Sequence, residues 1–425
     1  MQQIIVIGAG VVGLTSAWWL LEAGYRVTLL ERAPQVGTGT SYANGGQLSY
    51  RYVSPLADAG VPSKALRWLF QEHGPLRLRP QADPHQWRWL AAFLANCRAD
   101  ANRKTTAKLL QLGELSRRGM AQLAAVVPPA AFGWRDAGKL VVYRSRKVFE
   151  AAAAKSAAAA CAASPAAADG TAMPQVWSAA ECVAHEPALA AMEDRLAGGI
   201  HNSGEAVADC YAFCVALAER VRAHPRFQGF IQGQAVRIVT AGGHVTGLDT
   251  GAGRIAADAY VLAAGMQSRA LALTAGIGLP LYPLKGYSLS APIRGDDVAP
   301  AISVTDFERK VLYARIGDQL RVAAMVDMVG EDLRLDARRL AALTRQVRET
   351  MPRAADYHHI TPWAGLRPAT PNSAPIIGPT PYANLWLNVG HGALGFTFAC
   401  GTASLLTDLM RGRETPFALD GLTLA

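Results

Sequence analysis

Cysteine is scarce and scattered in this chain. Cys97, Cys161, Cys182, Cys210, Cys214 and Cys400 are the six among 425 residues, and no histidine stands at ligand spacing from the one close pair, Cys210 and Cys214. That excludes a disulfide framework, and it predicts reduced thiols in the cytoplasm and no metal site. Charged residues are few, 18% against 51% hydrophobic. Such a balance describes a globular chain with an ample core, and at roughly 150 residues per domain the length predicts two intimate domains. A basic leader is missing, because Met1–Leu21 carries no charge at all. Its glycines belong to a motif described next, so it does not read as a signal peptide. Asn384–Thr407 is long enough to cross a bilayer, but Asn388, His391 and its glycines break it into strand, loop and helix. No transmembrane segment is expected.

What the chain does have is concentrated at its start. Ile4–Ile7 is an unbroken apolar run that reads as a buried parallel strand. Gly8-Ala9-Gly10-Val11-Val12-Gly13 follows with G-x-G-x-x-G spacing, and Val11–Ala23 reads as a buried helix. Gly8 permits the tight turn, Gly10 admits a pyrophosphate to the backbone, and Gly13 lets helix and strand pack closely, with the helix N-terminus facing the phosphates. Tyr25–Leu30 reads as a second strand, closed by Glu31 about 18 residues beyond Gly13, where a carboxylate accepts ribose hydroxyls and repels a 2′-phosphate. Strand, helix, strand and acid in register predict a dinucleotide site. The loop Thr38–Gln47 is made of small residues suited to close approach by a planar ring and to hydroxyl contacts with phosphate.

Residues 50–120 hold 12 Lys and Arg against 5 Asp and Glu, which places most of the formal +9 charge there. Trp68, Phe70, Trp87, Trp89 and Phe93 are interleaved with Lys64, Arg67, Arg77, Arg79 and Arg88. No nucleic-acid module accompanies them, so no nucleic-acid partner is expected, and the aromatics fall in two apolar helices, Ala65–Phe70 and Trp87–Leu94. They read either as a cap on the substrate site or as a surface for anionic lipid. Ala151–Ala168 is alanine-rich: Glu150–Ala163 reads as a helix that Ser164-Pro165 breaks.

Gln234–Ile238 and His244–Leu248 form a predicted hairpin, and Ala259–Gly265 a strand returning to the first sheet. Leu284–Leu289, Val311–Arg315 and Leu320–Met325 predict an antiparallel second sheet, and Asp336–Met351 an amphipathic helix. Leu385–Val389, Gly390–Gly395 and Phe396–Met410 then read as strand, loop and helix. The fold class expected is α/β plus α+β: a Rossmann-like parallel sheet with a second, mainly antiparallel substrate domain. The nucleotide-binding domain is assigned to 1–50, 195–275 and 360–425, and the substrate-binding domain with its helical cap to 51–194 and 276–359.

The glycine motif, Thr40-Ser41 with Ala43-Asn44 and Gly46-Gln47, Pro283–Ser288, Gly365-Leu366-Arg367-Pro368 and the Gly390–Gly401 segment together resemble bacterial FAD-dependent D-amino-acid dehydrogenases, within the amino-acid-oxidase and glycine-oxidase fold group. The resemblance runs nearly end to end and is weakest in the alanine-rich stretch. It implies FAD, with Val236 meeting the adenine through its backbone; noncovalent binding is expected because Gly8, Gly10, Gly13 and Glu31 make the adenosine site and no cysteine or histidine is well placed for a bond. It further implies that Thr40, Ser41, Asn44, Gly45 and Gln47 line pyrophosphate and flavin, and that Gly392, Ala393, Leu394, Gly395, Phe396 and Thr397 face the pyrimidine end of the ring. The expected cofactor set also includes Ala9, Val11 and Val12 in the motif, Arg32 beside Glu31, Ala43 and Gly46 in the loop, Ala264 and Gly265 after the returning strand, and Gly365.

The activity implied is oxidative deamination of D-amino acids to 2-oxo acids and ammonia by hydride transfer to flavin N5, with electrons passed to a quinone or another respiratory acceptor. On chemical grounds Arg367 suits a substrate carboxylate, since its planar fork sits in a Gly-Leu-Arg-Pro turn rather than on a solvated face. Helix N–H groups near Phe396 suit negative charge developing at the ring. Tyr287, Tyr313 and Tyr52 are candidates for a pocket wall. His391 reads as positioned by its backbone and Cys400 as core. The alternative chemistry is a glycine- or sarcosine-type oxidase that uses oxygen. A nicotinamide reductase would require a second strand–glycine–helix unit, which is lacking. Location is expected to be cytoplasmic, with residues 55–95 either roofing the active site or docking on the inner face of the cytoplasmic membrane.

Overall fold

The computed structural model describes residues 2–62, 74–162 and 173–424. The predicted Ala65–Phe70 helix and the Ser164-Pro165 break lie outside the described residues.

The first apolar run is strand Gln3–Ile7. It has no polar side because it has no wet side: Ile4 and Val6 enter the core beneath the helices, and Ile5 and Ile7 the core on the opposite face. It is central in a six-stranded sheet ordered Ile376–Pro379, Leu385–Val389, Ala259–Leu262, Gln3–Ile7, Arg26–Glu31, Phe227–Gln232. All neighbours are parallel except the first two strands. Helix Val11–Glu22 follows the first strand and ends before Gly24, whose φ of +98° is the left-handed stop expected of a glycine.

The second sheet has nine strands. Its order runs Thr361–Ala369, Tyr282–Pro292, Gln319–Met328, Val311–Ile316, Ser303–Asp306, Lys139–Tyr143, Gly198–Asn202, Gln175–Trp177, and Leu76–Leu78 pairs with Gln319–Met328. It is mainly antiparallel, but Ser303–Asp306 runs parallel to Lys139–Tyr143, as Leu76–Leu78 does to Gln319–Met328. Helix Ala337–Thr350, capped by Asp336, covers one face with Leu343 and Val347.

Three segments sit differently from the predicted domain division. Thr361–Ala369 and Gly198–Asn202 belong to the second sheet, where they pair with Tyr282–Pro292 and Lys139–Tyr143. Helix Ala99–Leu123, assigned to the cap, is part of the core on the helix side of the first sheet: Leu109, Leu112, Met120 and Leu123 are buried there with Leu14, Phe398 and Cys400. Close glycine contacts hold it down. A Cβ on Gly401 would stand 2.9 Å from the Leu112 carbonyl oxygen, and the Gly401 N–H donates to Ser116 Oγ at 3.1 Å. Helix Gly395–Met410, which together with the turn before it is apolar and long enough to span a bilayer, is thereby enclosed within that core. Helix Pro84–Asn96, capped by Asp83, turns Trp89 into a cluster with Tyr282, Leu284 and Met328 and leaves Trp87 exposed.

Candidate functional site

The first strand ends in a glycine turn with no room for side chains. Gly8 has φ +105°, and a Cβ there would lie 2.6 Å from the Ala263 carbonyl oxygen; a Cβ on Gly13 would overlap the Gly8 carbonyl. Ala263-Ala264-Gly265, at the end of the returning strand, thus abuts the turn. Gly10 begins the helix with no side chain capping it. Val11 N–H donates to Ser41 Oγ at 3.1 Å, so the small-residue loop is fastened to the helix start. Glu31 closes the second strand and accepts Ala9 N–H at 2.7 Å and Ala33 N–H at 3.0 Å, one on each oxygen. Each oxygen keeps a lone pair for a hydroxyl, and exposed Arg32 stands beside it. Val236 lies just past the strand that pairs with Glu31, and the ladder register skips it between Ala235 and Arg237. Its backbone is therefore outside the regular pairing.

From Thr40 the loop crosses to the second sheet. Thr40 Oγ1 donates to the Leu366 carbonyl at 2.8 Å, the Ala43 carbonyl accepts Ser288 Oγ at 2.6 Å, and the Asn44 carbonyl accepts Arg321 at 2.8 Å. Gly45 lies against Leu312 and Ala323, where a Cβ would be tight, and Gly46 lies against Ile316 and the Ala208 carbonyl, where one would collide. Gln47 donates to Ser303 and accepts from Lys139 Nζ at 2.7 Å. Ser49 N–H donates to Thr397 Oγ1 at 3.2 Å, which joins the loop to the first turn of helix Gly395–Met410. That helix too starts without a side-chain cap, after the short turn Gly392–Leu394.

Strand pleat decides which candidates face this loop. Arg367 pairs with Leu284, Gly365 with Gly286, and Trp363 with Ser288, whose hydroxyl reaches the loop. Gly365–Pro368 is thus strand and not the expected turn, because it pairs in register with Pro283–Gly286, and Arg367, Gly365 and Trp363 share that face. The Arg367 guanidinium lies across Gly286 and donates to the Met325 carbonyl at 2.9 Å. Met325 is held at φ +66° beside a bulge, so a strained residue supplies the oxygen that aims the arginine. Desolvation lowers the Arg367 pKa to about 10, against which Asp327 acts in the opposite sense, and the group remains a cation at neutral pH. The Trp363 indole covers Gly365, leaving no space for a side chain there.

The same pleat turns two predicted wall tyrosines away. Tyr287 pairs with Ala364, and Tyr313 with Val322 and Val304, so both point to the opposite face. They are 1% and 0% exposed in the core beneath helix Ala337–Thr350, and Tyr287 donates its hydroxyl to Asp327 at 3.2 Å. Asp327 is also ion-paired with Arg339 at 2.6 Å. Tyr287 and Tyr313 are packing residues; of the three, Tyr52 alone is exposed on the loop side, its ring 4.2 Å from Lys139 Nζ.

His391 is buried, with Nε2 3.0 Å from Thr402 Oγ1, and desolvation lowers it to about 3, so it stays neutral and engaged. Among the described residues no group of three His, Cys, Asp or Glu side chains could hold a metal ion. Ser288 stands at the end of the Pro283–Ser288 motif without a role of its own, and motif reading gives none to Arg321, Met325 or Lys139. Odd-even parity along Leu284–Leu289 carried a signal for Ser288; the others depend on strand order.

A family model described as FAD dependent oxidoreductase, the DAO family, matches residues 3–409. D-amino acid dehydrogenase 2 of Pseudomonas aeruginosa is 49% identical over 418 residues, covering 98% of this chain and 96% of that one. The D-amino acid dehydrogenase of Vibrio cholerae is 38% identical over 429 residues, covering 100% and 98%. Among solved structures, glycine oxidase from Geobacillus kaustophilus aligns over 100% of this chain and 99% of its own with a TM-score of 0.75 at 20% identity. L-proline dehydrogenase from P. horikoshii aligns over 99% and 96% with a TM-score of 0.75 at 15% identity.

Proposed function

This chain belongs to the DAO family of FAD-dependent oxidoreductases, and from that premise we propose that it oxidises D-amino acids to imino acids, which hydrolyse to 2-oxo acids and ammonia. The residues present fit FAD. Gly8, Gly10 and Gly13 leave a side-chain-free turn, two helices begin without side-chain caps, and Glu31 keeps acceptor capacity at the ribose position. Adenosine is assigned to Glu31, Arg32 and Val236, pyrophosphate to the Gly10–Gly13 helix start with Ser41 and Thr40, and the ring system to Ala43–Gln47, Ala264, Gly265, Gly365 and the Gly392–Thr397 turn. When bound, FAD supplies the hydride acceptor.

The chain's own part is to bind and orient. Arg367 carries the reading: a cation aimed by Met325, tied through Leu366 to the cofactor loop, and forming no ion pair among the described residues. It would take the α-carboxylate through two parallel N–H donors, which fixes the α-carbon relative to the loop. Tyr52 and Trp363 would wall the side-chain direction. No acid–base dyad is assigned, because a neutral substrate amine can drive loss of the α-hydrogen as hydride. The D-configuration is taken from the names of the full-length relatives. The electron acceptor we assign is a quinone or another respiratory carrier, reached through peripheral contact of helix Pro84–Asn96 with the inner face of the cytoplasmic membrane.

Anaerobic mixing of the FAD-loaded protein with a panel of D- and L-amino acids tests the reaction: D-isomers should bleach the flavin absorbance and L-isomers should not. Bleaching by L-isomers or by none would overturn it. Stopped-flow exposure of the bleached protein to oxygen separates the dehydrogenase, which reoxidises slowly, from an oxidase.

A further inference from the structure

Residues 47–52 lead from Gln47, in the loop assigned to the cofactor, to Tyr52, assigned above to the substrate wall. Two buried ionisable side chains hold this stretch, one through its side chains and the other through its backbone. Lys139 is 3% exposed and donates to Gln47 Oε1 at 2.7 Å and Ser49 Oγ at 3.0 Å, with its ammonium 4.2 Å from the centre of the Tyr52 ring. Glu205, 2% exposed, accepts the Arg51 N–H on Oε1 at 2.9 Å. Its other oxygen is buried without a hydrogen-bond partner. The backbone binds the two grips together, since Gly138 N–H, one residue before Lys139, donates to the Glu205 carbonyl at 2.9 Å.

Burying a cation and a carboxylate is costly unless their partners are fixed. Among the described residues, the side-chain partners of both lie in this six-residue segment. We propose that Lys139 and Glu205 are positioning residues for the substrate side of the cleft, and that discharge of Lys139 releases Gln47 and Tyr52 from their working positions. This rests on the flavoenzyme reading above.

The titration sense follows from the surroundings. Desolvation lowers Lys139 to about 8, with Glu205 opposing the shift. Desolvation raises Glu205, with Lys139 opposing in turn. The other titratable groups facing the pair are the phenols of Tyr50 and Tyr52, both raised by desolvation and neutral through this range. Lys139 therefore holds the segment as a cation below about pH 8 and lets go above it.

The test uses the FAD-loaded protein, comparing wild type with Lys139→Met, Lys139→Arg and Glu205→Gln. The first readout is the flavin absorption spectrum titrated between about pH 6 and 10, which needs no turnover. Wild type should show a spectral step near pH 8 that Lys139→Met abolishes and Lys139→Arg moves upward by at least about one unit. The second readout is steady-state kinetics with a D-amino acid: Lys139→Met and Glu205→Gln should raise KM by about tenfold with kcat changed less than about threefold. A wild-type spectrum without a step near pH 8, or Lys139→Met with wild-type KM and an unchanged step, would overturn the proposal. Should Lys139→Met fail to fold, Lys139→Arg decides, because an unmoved step is then sufficient to reject it. If no D-amino acid bleaches the flavin, the substrate reading fails while the spectral titration still decides the grip.

Discussion

Arg367 lies across Gly286, its guanidinium filling the space into which any side chain at residue 286 would project. The glycine in the middle of an otherwise full strand is thus the seat of the residue assigned to the substrate carboxylate. Gly286→Ala should displace the guanidinium from the Met325 carbonyl and raise KM for D-amino acids by about tenfold or more while FAD stays bound, measured by steady-state kinetics beside the flavin spectrum. An alanine variant with unchanged KM would mean that Arg367 works from another rotamer.

Arg367 itself should be more sensitive. Arg367→Ala removes a charge-assisted pair worth roughly 1.5–3 kcal/mol, so kcat/KM should fall on the order of 10- to 100-fold with flavin retained, and Arg367→Lys should recover part of it. The pH dependence has a definite sign: with the group lowered to about 10, carboxylate binding is intact below that value and weakens as pH rises through it. A profile whose alkaline fall is identical in wild type and Arg367→Lys would remove Arg367 from the carboxylate site.

The glycine turn, Glu31 and the central strand were legible because local rules sufficed: a strand buried on both faces has no alternation, and a turn against the next strand tolerates no Cβ. Tyr287 and Tyr313 were assigned to the cleft because a tyrosine's type suits a wall; which face it meets is set by register and by the helix that covers it. The chain positions of Lys139 and Glu205 say nothing of their partners, which come from strands and loops about 90 and 150 residues away.

Tyr287 has a testable structural task instead. Its hydroxyl, Asp327 and Arg339 form a buried network, with the ion pair at 2.6 Å and its side chains 1% and 4% exposed. Removing one partner leaves an uncompensated buried charge, so Arg339→Met should lower stability by about 3–5 kcal/mol in a denaturant titration. Tyr287→Phe should cost only about 1 kcal/mol and leave KM near wild type. A large rise in KM for Tyr287→Phe would return that tyrosine to the substrate.

FAD should be released quantitatively on denaturation. His391, which precedes the turn assigned to the ring, is buried against Thr402, and Cys400 is buried in the core, so neither is presented for a bond. After unfolding in guanidinium and filtration, all yellow colour should pass with the filtrate; colour kept by the polypeptide would show a covalent link.

Helix Pro84–Asn96 presents two unlike faces, and the outward one carries the prediction for the membrane. Trp89 is 3% exposed and donates its indole N–H to the Ala369 carbonyl at 2.9 Å, so the inward face is an anchor that roofs the strand just past Arg367. Trp87 and Leu94 are 49% and 54% exposed seven residues apart on one side, with Arg88 also exposed next to Trp87. Cap and membrane surface are therefore compatible on one helix, because the residues each role needs are different. Tryptophan favours the headgroup boundary, and each basic residue near anionic lipid contributes about 1 kcal/mol, a term that salt screens. The protein should float with phosphatidylglycerol-containing vesicles at low salt and release at high salt. Changing Trp87, Arg88 and Leu94 together to polar, uncharged residues should abolish flotation while leaving flavin bleaching by D-amino acids intact, since none of the three faces the cleft. A wild-type protein that stays at the bottom of the gradient at low salt would confine this helix to its roofing role and send the search for the electron acceptor to a soluble carrier.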